Sequence, residues 1–85
     1  VDIEKGIMAV GGDLHADEEA VMIDDGSEQK NLWGANIWFE KKDDERIAFD
    51  SMINIRPAQG NRNRTIESKD IREQVEAIIN KCVVW

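Results

Sequence analysis

The sequence predicts an α+β fold, an antiparallel sheet of four or five strands with a C-terminal helix packed on one face. Three observations carry this. Apolar residues alternate on both sides of a charged tip at 41–46, the period of two half-buried strands. The last segment, "SKDIREQVEAIINKCVVW", repeats apolar residues at helical spacing. Glycine and aspartate divide the first half into short β-prone runs.

At the start, "VDIEKGIMAVGG" sets Glu-Lys-Gly between two such runs, and Gly6 can take the positive φ of a tight hairpin, so strands are expected at about 1–4 and 7–11. Residues 20–23 read as a further strand before the turn Asp24-Asp25-Gly26-Ser27. "ADEEAVMI" has helix formers at its start, but Val-Met-Ile followed by Asp-Gly favours extended structure. Strands at 32–39 and 47–55 form the central hairpin. Their odd positions, Trp33, Ala35, Ile37, Phe39, Ile47, Phe49, Ile53 and Ile55, make the buried face, in a register that places Asn36 opposite Asp50. Asn36, Trp38, Asp50, Met52, Asn54 and Arg56 then share the other face, half apolar and half polar. In the helix, Ser68 is the expected N-cap and Asp70 meets the positive end of the dipole. Ile71, Val75, Ile78, Ile79 and Cys82 form one stripe, and Arg72 can pair with Glu76.

The 85 residues are expected to form a single domain, 1–85. A chain this small leaves apolar area wet, and its three tryptophans add to that, so a homodimer or higher oligomer is expected. One cysteine permits no intrachain disulfide, and no zinc-type Cys/His spacing or cofactor motif occurs, so no metal and no cofactor are expected. A cytoplasmic location follows from the single thiol, the lack of a signal-peptide pattern and the lack of roughly 18 consecutive apolar residues for a membrane span. The net charge of −7 repels nucleic-acid phosphate and anionic lipid, leaving any polyanion contact to a local patch.

Such a patch exists. No acidic residue occurs between Asp50 and Glu67, where "INIRPAQGNRNRTIE" sets three arginines around one Pro and one Gly. Arg56, Arg62 and Arg64 can converge on one anion through guanidinium forks, with Gln59, Asn61 and Asn63 reading neutral groups nearby. The structural alternative pairs Arg62 and Arg64 with acidic residues of a neighbouring protomer and leaves the amides to cap turns. A second candidate is "GGDLHADEE". In an extended backbone Asp13, His15 and Asp17 share a face, where they could ligate a divalent ion or supply a base oriented by an acid; a solvated turn with His15 bonded to a carboxylate is the plainer reading. Ser27 and Ser51 lack a nucleophile elbow, and the only histidine would have to be recruited from elsewhere. Cys82, within the apolar stripe, reads as a small hydrophobe, and Trp38 and Trp85 read as exposed until a partner covers them.

The segments "IEKGIMAVGGDLHADEE", "DDGSEQKNLWGANIWFE" and "FDSMINIRPAQGNRNR" together resemble a family of small bacterial and archaeal proteins of unknown function, along nearly the whole chain. The resemblance implies a compact domain and transfers no activity, cofactor or catalytic residue.

The function expected is therefore a small homo-oligomeric binding or interaction domain. It would recognise an acidic partner or small anionic ligand through the 56–64 loop and the adjacent sheet face bearing Asn36, Asp50 and Asn54. The alternative is a small hydrolase or lyase using Asp13, His15 and Asp17. Nucleic-acid binding through the arginines is opposed by the net charge.

Overall fold

A computed structural model of the chain describes residues 1–12, 14–42 and 45–83. Asp13, part of the tip at 41–46, and Trp85 lie outside the described residues. The elements run α1 (His15–Asp24), β1 (Asn36–Ile37), β2 (Ile47–Ala48) and α2 (Lys69–Cys82), with 3-10 turns at Gln29–Asn31, Met52–Asn54 and Pro57–Gln59.

α2 forms where its stripe places it. Ser68 Oγ accepts the Ile71 N–H at 3.3 Å, and Asp70 lies in the first turn. Its inner face buries Val75 and Ile79 completely against Trp33 and Ile66, with Ala35, Ile37, Ile47 and Phe49 of the hairpin packed around them. Each such aliphatic side chain contributes about 2 kcal/mol by leaving water. Cys82 departs from the expected stripe and is exposed. Arg72 does not pair with Glu76; its Nη1 donates to the carbonyls of Ile66 and Glu67 at 2.8 and 3.1 Å and ties the helix to the segment before it.

The sheet is smaller than expected. Among the described residues only β1 and β2 form a ladder, antiparallel, with Ile37 opposite Ile47 and Asn36 opposite Ala48, two residues before the expected partner Asp50. The parity is the expected one, so odd positions still face α2. Elsewhere pairing reduces to single bridges, Asp2 to Ile7, Asp2 to Leu32, Asp50 to Thr65 and Arg56 to Asn61. The expected strand at 1–4 is a turn, with Gly6 at φ 70° and the Asp2 carboxylate accepting the N–H groups of Glu4 and Lys5 at 2.9 and 3.0 Å. No strand forms at 7–11.

Two further expected strands are replaced. Residues 20–23 belong to α1, whose first turn closes when Asp17 Oδ2 accepts the Leu14 N–H at 3.3 Å. Only Met22 of this helix is buried, and Val21 and Ile23 are exposed, so no helical stripe marks it in the sequence. Of the expected 47–55 strand only Ile47–Ala48 forms, and at Ser51 the chain turns, its Oγ accepting the Ile53 N–H at 3.4 Å to start the 3-10 turn Met52–Asn54. That turn reverses the expected faces: Asn54 is fully buried while Ile55 is 38 % exposed.

Candidate functional site

Two polar side chains of the loop at 56–64, Arg56 and Asn61, turn inward, while Gln59, Arg62, Asn63 and Arg64 are exposed. Arg56, in the expected ligand loop, is buried. Its guanidinium donates to the carbonyls of Gln29 and Leu32 and to Gln59 Oε1, and lies 4.0 Å over the Trp33 ring. Burial pushes its pKa below the ordinary arginine value, partly offset by the Glu19 carboxylate. Asn54 bonds both backbone groups of Gly34, and Asn61 Nδ2 donates to the carbonyls of Asn54, Asn63 and Thr65 at 2.8, 2.9 and 3.0 Å. Gln59 Nε2 donates to the Lys30 carbonyl at 3.0 Å. These amides supply the hydrogen bonds that a longer ladder would have made. Arg62 is exposed, and its N–H donates to Glu67 Oε2 at 2.7 Å.

Arg64 points the other way in function. Its Nε pairs with Asp50 Oδ1 at 3.2 Å, and its Nη nitrogens make no hydrogen bond or ion pair among the described residues. The pair lies at a groove of about 370 Å³ whose polar lining is His15, Asn36, Asp50, Ser51 and Arg64, with Leu14 and Met52 as apolar rim. Each residue has a local reason to be there. His15 opens α1; Asn36 leaves β1 and donates from Nδ2 to the Asp50 carbonyl at 3.0 Å; Ser51 caps the 3-10 turn. His15 Nδ1 and Ser51 Oγ are 2.5 Å apart, a short hydrogen bond between residues 36 positions apart in the chain.

One residue of the second sequence candidate and three of the first thus line a common groove. His15, from the second candidate, lines it with Asn36, Asp50 and Arg64 from the first. Asp17 does not face the groove with His15; α1 begins at His15, and Asp17 turns back to the Leu14 N–H. Among the described residues no three His, Cys, Asp or Glu side chains are grouped to hold a metal ion. Ser51 has no nucleophile elbow, and the histidine that its local sequence lacks arrives through the fold. No spacing in the sequence signals that contact.

Chemically, the groove offers a partly satisfied guanidinium, a hydroxyl bonded to an imidazole and a carboxamide, a set that suits an anionic oxygen group. No helix among the described residues is long and apolar enough to cross a membrane. No curated protein and no solved structure matches the chain. A family model described as "Protein of unknown function (DUF5674)" matches residues 1–82.

Proposed function

The chain belongs to this family, membership brings no activity with it, and from the chain's own geometry we propose a small binding domain that takes an anionic phosphate or carboxylate group in the His15–Ser51–Arg64 groove. The observation that carries the reading is Arg64. Asp50 fixes its Nε and so orients the planar fork, while the two Nη nitrogens remain for a ligand beside the Ser51 hydroxyl. A ligand oxygen there gains charge-assisted hydrogen bonds that a lone surface lysine would not direct. Exposed Trp38, Phe39, Met52 and Ile55 support self-association or an apolar partner. The exposed Cys82 thiol supports a reducing, cytoplasmic setting.

Titration with inorganic phosphate, followed by the His15 imidazole resonances and by calorimetry, tests this. Binding on the order of millimolar is expected, lost in Arg64→Ala and retained in Arg62→Ala. Equal binding by both variants, or none by the native chain, overturns the reading.

A second reading rests on the 2.5 Å His15–Ser51 contact. An imidazole that takes the Ser51 proton would make an acyl-transfer nucleophile. Two facts weigh against it: Ser51 is only 3 % exposed, and among the described residues no carboxylate is bonded to the His15 ring. Release of nitrophenol from p-nitrophenyl acetate that disappears in Ser51→Ala would favour it over simple binding.

A further inference from the structure

Two bridges of the N-terminal segment fix where a strand in line with it runs. Val1 and Trp33 exchange hydrogen bonds at 2.9 Å in both directions, Asp2 bridges Leu32, and the Ile3 N–H donates to the Asn31 carbonyl at 3.0 Å. Each step back along the first segment is therefore one step forward along the second. On its other side the same segment bridges Ile7 through Asp2. Any residue joined to the Val1 nitrogen in the same extended path falls between Ala9 and Gly34, and the one before it between Val10 and Ala35.

The peptide groups along 31–38 alternate in direction, as they must in an extended chain. Those of Asn31 and Trp33 turn toward the N-terminal segment. Gly34 turns the other way, to Asn54, as do Asn36 toward Ala48 and Trp38 toward the Arg46 carbonyl at 2.7 Å. The alternation leaves the N–H and C=O of Ala35 and Ile37 on the N-terminal side, beyond the end of the Val1 pairing. Along that edge runs a groove of about 660 Å³ between 8–10 and 35–37, with an apolar lining that includes Met8, Val10, Ile37, Phe39 and Val83. Val10 and Phe39 are 69 % and 64 % exposed.

We infer that this groove is a strand-acceptor site, whose occupant is an extended stretch of polypeptide joined to the Val1 nitrogen and added antiparallel to the outer edge of β1. Edge groups in such a groove are satisfied by backbone alone, and alternate side chains set the fit. Val1 and Ile3 pack on the core, so the second and fourth places before Val1 share their face, where apolar side chains fit. Residues at those two places donate N–H groups to the carbonyls of Ala35 and Ile37. The Val1 nitrogen already donates to the Trp33 carbonyl as a mid-strand amide does. Burial there lowers its pKa against the pull of the Glu18 and Asp2 carboxylates, so the surroundings favour an uncharged nitrogen.

The test adds Val-Thr-Val-Thr ahead of Val1 and compares three chains by amide hydrogen exchange and thermal melting: this one, the same extension with proline as the second residue before Val1, and Gly-Ser-Gly-Ser. Exchange at the Ala35 and Ile37 amides should slow by about tenfold or more in the first chain alone, with a higher Tm. Unchanged exchange in that chain overturns the proposal, as does equal protection in the proline chain. Protection of the chain that starts at Val1 by the free peptide acetyl-Val-Thr-Val-Thr-amide, or protection that rises with protein concentration, would make the occupant a separate chain and overturn it too.

Discussion

Asn54 holds Gly34 the way a neighbouring strand would: its Oδ1 accepts the Gly34 N–H at 2.8 Å, and its Nδ2 donates to the Gly34 carbonyl at 3.0 Å. The same Nδ2 reaches the Arg64 carbonyl at 3.0 Å, so one fully buried side chain joins the central hairpin to the loop after it. Asn54→Ala strands the buried Gly34 N–H and C=O, while the Arg64 carbonyl keeps the Ser51 N–H at 3.0 Å, and the change should cost about 3 kcal/mol. Asn54→Asp keeps the acceptor but loses both donations, so it should fail as well. Urea midpoints of the two variants check this, and a loss under about 1 kcal/mol for either would be inconsistent with the geometry.

Arg56 serves the fold rather than a ligand. Its guanidinium closes two carbonyls and covers the face of Trp33. Lysine keeps the charge but offers neither the fork nor the planar stack. Arg56→Lys should therefore lower stability by about 2 kcal/mol and broaden the Trp33 emission, while phosphate titration of the folded fraction stays unchanged.

The α2 helix and the parity of the central hairpin were legible because each rests on local periodicity over a run of residues. Ser68 and the spacing of Ile71, Val75 and Ile79 specify a cap and one face, and the structure uses both. Alternation through 33–37 and 47–49 sets which side chains meet α2, although the register is shifted by two residues. Where the reading failed, a single side chain overrides the period. Ser51 caps a 3-10 turn and rotates Asn54 inward and Ile55 outward. α1 hides its helical nature because only Met22 is buried, which leaves Val21 and Ile23 to mimic a strand. The groove was half legible: Asn36, Asp50, Arg64 and His15 were all picked out, but as two separate sites. Contacts across 36 positions, like His15 to Ser51, come from the packing of α1 on the turn Met52–Asn54, which no local pattern encodes.

Asp2 makes the fold acid-sensitive. Burial pushes its carboxyl up, but the Lys5 N–H, the Ser27 hydroxyl, the Glu4 N–H and the Lys5 charge together hold it below the ordinary value of 3.8. A carboxyl depressed on folding contributes its full stability above the unfolded value, and the contribution is lost as pH falls through the lower, folded value. Urea midpoints should therefore drop between about pH 4 and pH 2, and Asp2→Asn should flatten that limb while lowering stability at neutral pH by about 1 kcal/mol. An acid limb of equal depth in Asp2→Asn would remove Asp2 as its source.

Gly34 couples the core to the groove. A Cβ there would lie 2.6 Å from both Cβ and Oγ of Ser51 and 3.0 Å from Ile53 Cγ1, too close for any of the three to stay in place. Trp33 and Asn54 hold the Gly34 backbone on either side, so the strain falls on Ser51. Ser51 Oγ serves both the His15 ring and the Ile53 N–H, and moving it loosens α1 from the 3-10 turn at once. Gly34→Ala should therefore cost about 2 kcal/mol as an overpacked core position, and it should shift the His15 imidazole resonances toward those of Ser51→Ala. The double variant Gly34→Ala with Ser51→Gly removes the atoms in conflict and should recover part of the lost stability. If the double variant is less stable than Gly34→Ala alone, the clash is not the cause, and the close approach of Gly34 to Ser51 does not govern this site.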